Sequence, residues 1–288
     1  MQIYKEYDKD ALDRQYNNRL NAPDHEQHLE QWEILSRETE KKYPVTKNIP
    51  YGELLDEKLD IFPSQQPHSK ILVFIHGGYW YKHTAPDFYL IAEAFRSYEL
   101  TTVIIDYPLM PEFSMDQLVL SCQRAIGWVY KNISQYNGNP DQIYVSGHSA
   151  GGHLASMMMT TDWREFNNKL SADLIKGICA ISGLYNLVPI QLCYVNDVLK
   201  MDTATSLRNS PVQLRPKTNC PLLLAVGADE SAEYLVQSRE LFTAWPDQII
   251  KLLEIPGLNH FSILETMLDH SSTLHKAMCR LMNIGNDK

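Results

Sequence analysis

"QIYVSGHSAGGH", residues 142–153, is the stretch whose reading decides the fold. A short apolar run, Gln142 to Ser146, ends in Gly147-His148-Ser149-Ala150-Gly151 and passes into small residues that can open a helix. A strand-to-helix turn of this kind is so tight that its central serine is held in a strained conformation. Its neighbours Gly147, Ala150 and Gly151 are small because larger side chains would clash. The pattern predicts that Ser149 projects from the carboxyl end of a strand, at the N-terminus of the next helix, in the position of a nucleophile. The pentad alone also fits a plain glycine-rich turn, so the surrounding sequence has to decide.

Outward from this turn, apolar β-rich runs alternate with helical patterns. Strands are expected at 70–75, 101–106, 142–146, 177–182, 221–227 and 249–255, and helices near 87–98, 115–136, 150–161, 231–244 and 262–282. The strand runs are continuously apolar rather than alternating, as when both faces of a sheet are covered. The expected fold class is therefore α/β, a mostly parallel central sheet with helices on both faces. Residues 1–50 differ: they are polar and helical, broken at Pro23, with no strand expected. With Tyr16, Trp32 and Leu35 on a polar background, they read as an N-terminal helical arm packing on the core. Residues 51–288 then form the catalytic domain, entered by strands within 50–67. The connection 183–220 suits a small lid but not a large cap.

A net charge of -9 without clustered Lys or Arg argues against a nucleic-acid binder. No apolar window is long enough for a membrane span or a signal peptide, so a cytoplasmic protein is expected. The five cysteines, odd in number and without a CxxC pair, read as reduced, buried thiols. Only the last residues, "NIGNDK", read as disordered.

A serine hydroxyl is a poor nucleophile until an imidazole takes its proton, and position selects among the ten histidines. His260, in "EIPGLNHF" after the last strand, is the candidate base. His148 and His153 flank the serine as supports. His25 and His28 sit on a polar helix and carry no expected metal role, and His270 and His275 are expected at the surface. An acid is needed between serine and histidine in chain order. Asp229, just past the strand 221–227, is the expected one, with Glu230 and Glu233 as fallbacks, while Asp106 precedes Ser149 and reads as a structural loop aspartate. Gly77 and Gly78 follow the strand 70–75, so their N–H groups can join that of Ala150 as an oxyanion hole. Tyr79, Trp80 and Tyr81 could wall a pocket for a planar leaving group, and Trp163, Phe166, Tyr185 and Tyr194 could complete it.

With "HGGYW", "GHSAGGHLA", "VGADES" and "GLNHF" in hand, the sequence resembles the α/β-hydrolase superfamily, and within it the kynurenine formamidase (arylformamidase) family and its bacterial esterase relatives. The leader "LDRQYNNR" extends the resemblance over nearly the whole chain. "DYPLMPE" is similar to a strand-end segment of lipase-like esterases but lacks their arginine, which weakens that branch. The resemblance implies an α/β-hydrolase fold, Ser149, Asp229 and His260 as triad, and Gly77, Gly78 and Ala150 as oxyanion hole. It also implies hydrolysis of N-formylkynurenine to kynurenine and formate without a cofactor or metal. Tyr79, Trp80, Tyr81 and Tyr185 stand as candidate substrate-binding residues. The partner called for is a small acyl amide or ester, not nucleic acid or membrane, with a homodimer left open. A general carboxylesterase acting on short-chain or aryl esters, or a non-catalytic binding module of the same fold, is the alternative.

Overall fold

A computed structural model describes residues 1–285. Its centre is one eight-stranded sheet: β1 Thr46–Pro50, β2 Lys58–Phe62, β3 Ser69–Ile75, β4 Thr101–Ile105, β5 Gly138–His148, β6 Ile175–Ile181, β7 Leu222–Gly227 and β8 Ile249–Ile255. The spatial order is β1-β2-β4-β3-β5-β6-β7-β8. β2 runs antiparallel to β1 and β4, and every pairing from β4 to β8 is parallel. This is the α/β-hydrolase arrangement the sequence implies.

The register explains the unbroken apolar runs. In β3, Ile71, Val73 and Ile75 enter one core while Leu72 and Phe74 enter another on the opposite face. In β7, Leu222, Leu224 and Val226 are split from Leu223 and Ala225 in the same way. Successive side chains of a strand point to opposite faces, so a sheet covered on both sides needs an apolar residue at every position.

The arm consists of α1 Lys9–Tyr16, α2 Asn18–Asn21 and α3 His25–Lys42. It is followed within the first fifty residues by β1, where no strand was expected. The mostly exposed β1 pairs only with β2 at the sheet edge, so its sequence, "TKNIP", carries little apolar signal. The sheet is covered further by α4 Leu90–Ala94, α5 Met115–Asn132 and α6 Ala150–Met159. The connection 183–220 holds three short helices, Val188–Leu192, Asn196–Leu199 and Thr203–Arg208. The expected helix 262–282 is two, Ser262–Glu265 and Thr273–Met282.

His275 is a correction: it is buried, with hydrogen bonds to the Met267 carbonyl and the Tyr98 hydroxyl, because the final helix turns that face onto the core. All five cysteines are buried. Within "NIGNDK", Asn283 takes a left-handed conformation and Ile284 N–H donates to the Cys279 carbonyl, closing the final helix, while residues 286–288 lie outside the described range. No helix among the described residues is long and apolar enough to cross a membrane.

Candidate active site

Ser149 stands between β5 and α6 with φ 58° and ψ -122°, the strained turn that its sequence context predicts. The turn is closed by steric necessity, since a Cβ at Gly151 would lie 1.9 Å from the Ile75 carbonyl oxygen. Ser149 N–H donates to the Ile181 carbonyl, so the serine is tied to β6 as well as β5. Strand ends deliver the other groups. His260 follows β8, and its Nε2 lies 3.0 Å from Ser149 Oγ; its Nδ1 lies 2.7 Å from Glu230 Oε2.

The acid in the relay is thus Glu230, not Asp229. After β7 the chain makes a turn in which Glu230 N–H donates to the Gly227 carbonyl, leaving Asp229 exposed at the tip. Glu230 returns beneath the turn, and its Oε1 accepts from Gly227 N–H at 2.9 Å and Ser182 Oγ at 2.5 Å. The glutamate's extra methylene lets it span from the strand end to the imidazole. Glu233, the other fallback, accepts from the Tyr16 hydroxyl and pairs with Lys5 of the arm.

With the Glu230 carboxylate accepting at Nδ1, the His260 proton sits there and Nε2 is free to accept from Ser149. His148 supports this geometry: its Nε2 donates to the His260 carbonyl at 2.8 Å, and the two rings lie 4.8 Å apart. Burial holds its pKa well below the usual imidazole value, so the ring is neutral beside the base. His153 is buried and likewise pushed down to about 4 by desolvation. Its Nε2 donates to the Asn209 carbonyl and its Nδ1 accepts from Trp80 Nε1. Among the described residues no cluster of metal-ligating side chains forms, and His28 is instead bonded to Glu265 and Asp24.

Ser149 and His260 open into a cavity of about 290 Å³ whose wall includes Gly77, Gly78, Tyr79, Tyr81, Tyr194 and Trp32. Gly78 has φ +107°, a conformation that favours glycine, and neither its N–H nor that of Gly77 bonds to another backbone group among the described residues. Ala150 opens α6, so its N–H belongs to a helix's first turn, where no carbonyl one turn earlier is in place.

Four expected pocket residues are elsewhere. Trp80 is fully buried because its indole N–H turns inward to His153, and Tyr185 is fully buried against Gly183. Neither lines the cavity, and nor do Trp163 and Phe166. In their place the arm supplies Asn17, Asn18, Arg19 and Trp32. Tyr234 also went unrecognised; its ring lies 4.7 Å from that of His260, and its hydroxyl bonds to Tyr79 and Asn18. The legible signal for the arm was the "YNNR" leader, while Tyr234 lies inside a helix with nothing in its neighbours to mark it.

The BD-FAE family model matches residues 59–243. Kynurenine formamidase of Salmo salar is 31% identical, covering 98% of this chain and 99% of its own length, and that of Danio rerio is 32% identical with the same coverage. A solved structure from Silicibacter sp. TM1040, described provisionally as a thioesterase, is 26% identical with a TM-score of 0.81 over 91% of this chain and 97% of its own. The metagenomic carboxylesterase EstE1 shares the fold, with a TM-score of 0.65 at 17% identity, covering 91% of this chain and 95% of that one. An eight-stranded hydrolase sheet, a family match over most of the catalytic region and full-length likeness to two formamidases converge, and the chain belongs to the BD-FAE family of the α/β-hydrolase superfamily, together with its kynurenine formamidase relatives.

Proposed function

We propose that this protein is a serine hydrolase that removes a small acyl group from an aryl amine, with N-formylkynurenine as substrate and kynurenine and formate as products. The observation that carries the reading is the relay from Ser149 through His260 to Glu230, opening into an aromatic-walled cavity in a chain alike over its whole length to two kynurenine formamidases. Ser149 Oγ adds to the formyl carbon as His260 Nε2 takes its proton. Glu230 holds the imidazole in the required tautomer and stabilises the imidazolium. The N–H groups of Gly77, Gly78 and Ala150 are the donors for the tetrahedral oxyanion, each worth about 3 to 4 kcal/mol when aligned.

Collapse of the intermediate breaks the C–N bond, and His260 returns its proton to the departing arylamine. Water, deprotonated by His260, then attacks the formyl-serine and releases formate. An anilide nitrogen leaves more readily than an alkylamine, which suits an amide with a planar leaving group. Aryl esters pass through the same steps, and the esterase fold relatives make a general carboxylesterase the second reading. A reducing cytoplasm suits five buried cysteines.

The test is kcat/KM on N-formylkynurenine beside p-nitrophenyl acetate. Preference for N-formylkynurenine, with formate released, is expected; efficient ester cleavage with no formate release would leave the carboxylesterase reading.

A further inference from the structure

The leader Tyr16–Arg19, "YNNR", runs along the cavity, and three of its four side chains are engaged inside the protein. Tyr16 is fully buried, its hydroxyl bonded to Gln237 Nε2 at 3.0 Å and Glu233 Oε2 at 3.3 Å. Asn17 caps α2 by accepting from Leu20 N–H at 3.1 Å, and Asn18 donates to the Tyr234 hydroxyl at 2.8 Å. Arg19 is the exception. Its side chain lines the same cavity as Ser149 and His260, it is exposed, and it makes no hydrogen bond or ion pair among the described residues.

The charge of the cavity wall points the same way. Lys82 also lines it, its ammonium 5.1 Å from the centre of the Tyr81 ring and without an acidic partner among the described residues, and no aspartate or glutamate is on the wall. The nearby acid Asp87 is already bonded to His83 and to Thr84 N–H. A chain of net charge -9 has thus left two cations and no carboxylate in its one reactive cavity among the described residues. Depth orders the groups: Ser149 is 4% exposed at the floor, and Arg19 is exposed at the mouth. An acyl group held at Ser149 leaves the rest of its molecule in the cavity that Arg19 lines.

We propose that Arg19 is a specificity-determining residue that pairs with a carboxylate on the leaving-group side of the substrate, so that the enzyme selects acyl amides and esters whose leaving group carries an anion. The guanidinium fork matches a carboxylate bidentately, and an unpaired arginine needs no internal partner broken before it binds. This rests on the hydrolase reading above and deepens it by naming what holds the substrate's far end.

The experiment measures kcat and KM for wild type, Arg19→Gln and Arg19→Lys on two matched pairs. One is N-formylkynurenine and its α-carboxamide; the other is 4-acetoxyphenylacetate and its amide. Wild type is expected to favour the carboxylate member of each pair. Arg19→Gln should raise KM for the carboxylates by roughly 10- to 100-fold, leave the amides within about twofold, and barely change kcat, with Arg19→Lys recovering part of the loss. Raising salt from about 0.05 to about 0.5 M should erode the wild-type preference, as for an exposed ion pair. The proposal is overturned if wild type does not discriminate within the pairs, or if Arg19→Gln slows both members equally. No turnover of N-formylkynurenine would sink the formamidase reading alone, because the ester pair still decides the role of Arg19.

Discussion

The floor and the roof of the cavity are built differently. The floor is set by the carboxyl ends of parallel strands: β5 presents Ser149, β7 Glu230 and β8 His260, and each is tied to a neighbour by short hydrogen bonds. The roof is the arm, held to the body by buried apolar side chains, Leu12, Tyr16 and Trp32 among them, and by separate hydroxyl and amide contacts. Tyr79 hydroxyl donates to the Tyr16 carbonyl at 2.6 Å, Asn18 reaches Tyr234, and Tyr194 N–H donates to Asp13. A sheet positions groups to within the tolerance that chemistry needs. A roof on separate contacts can be altered in what it admits without disturbing that geometry. On the proposed mechanism the reaction belongs to the floor, and the choice of substrate belongs to the roof.

Several substitutions would break or sharpen this division. Ser149→Ala, on the floor, should lower kcat by about five to six orders of magnitude while leaving the fold intact, read by formate release and by circular dichroism. Retention of more than a few per cent of the rate would move the reaction elsewhere. Trp32→Ala, on the roof, strips a 4%-exposed indole from Phe88, His148 and Phe261. A stability loss of about 3 to 5 kcal/mol is expected in denaturant titration, since a buried aromatic leaves both lost transfer energy and a cavity. Tyr79→Phe removes the bonds to Tyr16 and Tyr234 and should cost about 1 to 2 kcal/mol. Its effect on catalysis should fall on KM rather than kcat; a fall in kcat alone would mean that the roof takes part in the reaction.

A further effect falls on the pH dependence of stability. His76 and His153 are pushed down to about 4 by burial, and His148 lies lower than usual for the same reason. Below about pH 6.5 the unfolded chain binds protons that the folded chain refuses, so stability is lost as pH falls from 6.5 toward 4. Asp106, raised to about 6 by desolvation, opposes this: between pH 4 and 6 the folded chain keeps a proton that the unfolded chain has released. His275 is lowered in the same way and Glu233 is raised by desolvation, and four imidazoles outweigh two carboxyls, so Tm should drop between pH 7 and 5. His153→Gln should make that drop shallower, and an unchanged slope would remove His153 from the effect.

Much of this was legible in the sequence because strand ends leave strong marks. The runs at β3 through β8, the small residues around Ser149, and a histidine in the loop after the last strand locate the floor almost entirely. The acid was misplaced by one residue because the choice between Asp229 and Glu230 depends on a turn hydrogen bond, Glu230 N–H to the Gly227 carbonyl, that composition does not reveal. Trp80 was misread because its neighbours on the chain, Tyr79 and Tyr81, do face the cavity, and only the contact with His153 pulls it away. The roof was the least legible part. Its contacts join residues far apart in the chain, 63 positions for Tyr16 and Tyr79 and 216 for Asn18 and Tyr234, and nothing local in either segment encodes the pairing.

The most direct measurement is single-turnover formate release from N-formylkynurenine by Glu230→Gln and Asp229→Asn, side by side with wild type. Loss of the carboxylate that orients His260 should slow Glu230→Gln by about three to four orders of magnitude, while Asp229→Asn stays within about threefold of wild type. The reverse ranking, a crippled Asp229→Asn and an active Glu230→Gln, would contradict the Ser149–His260–Glu230 relay.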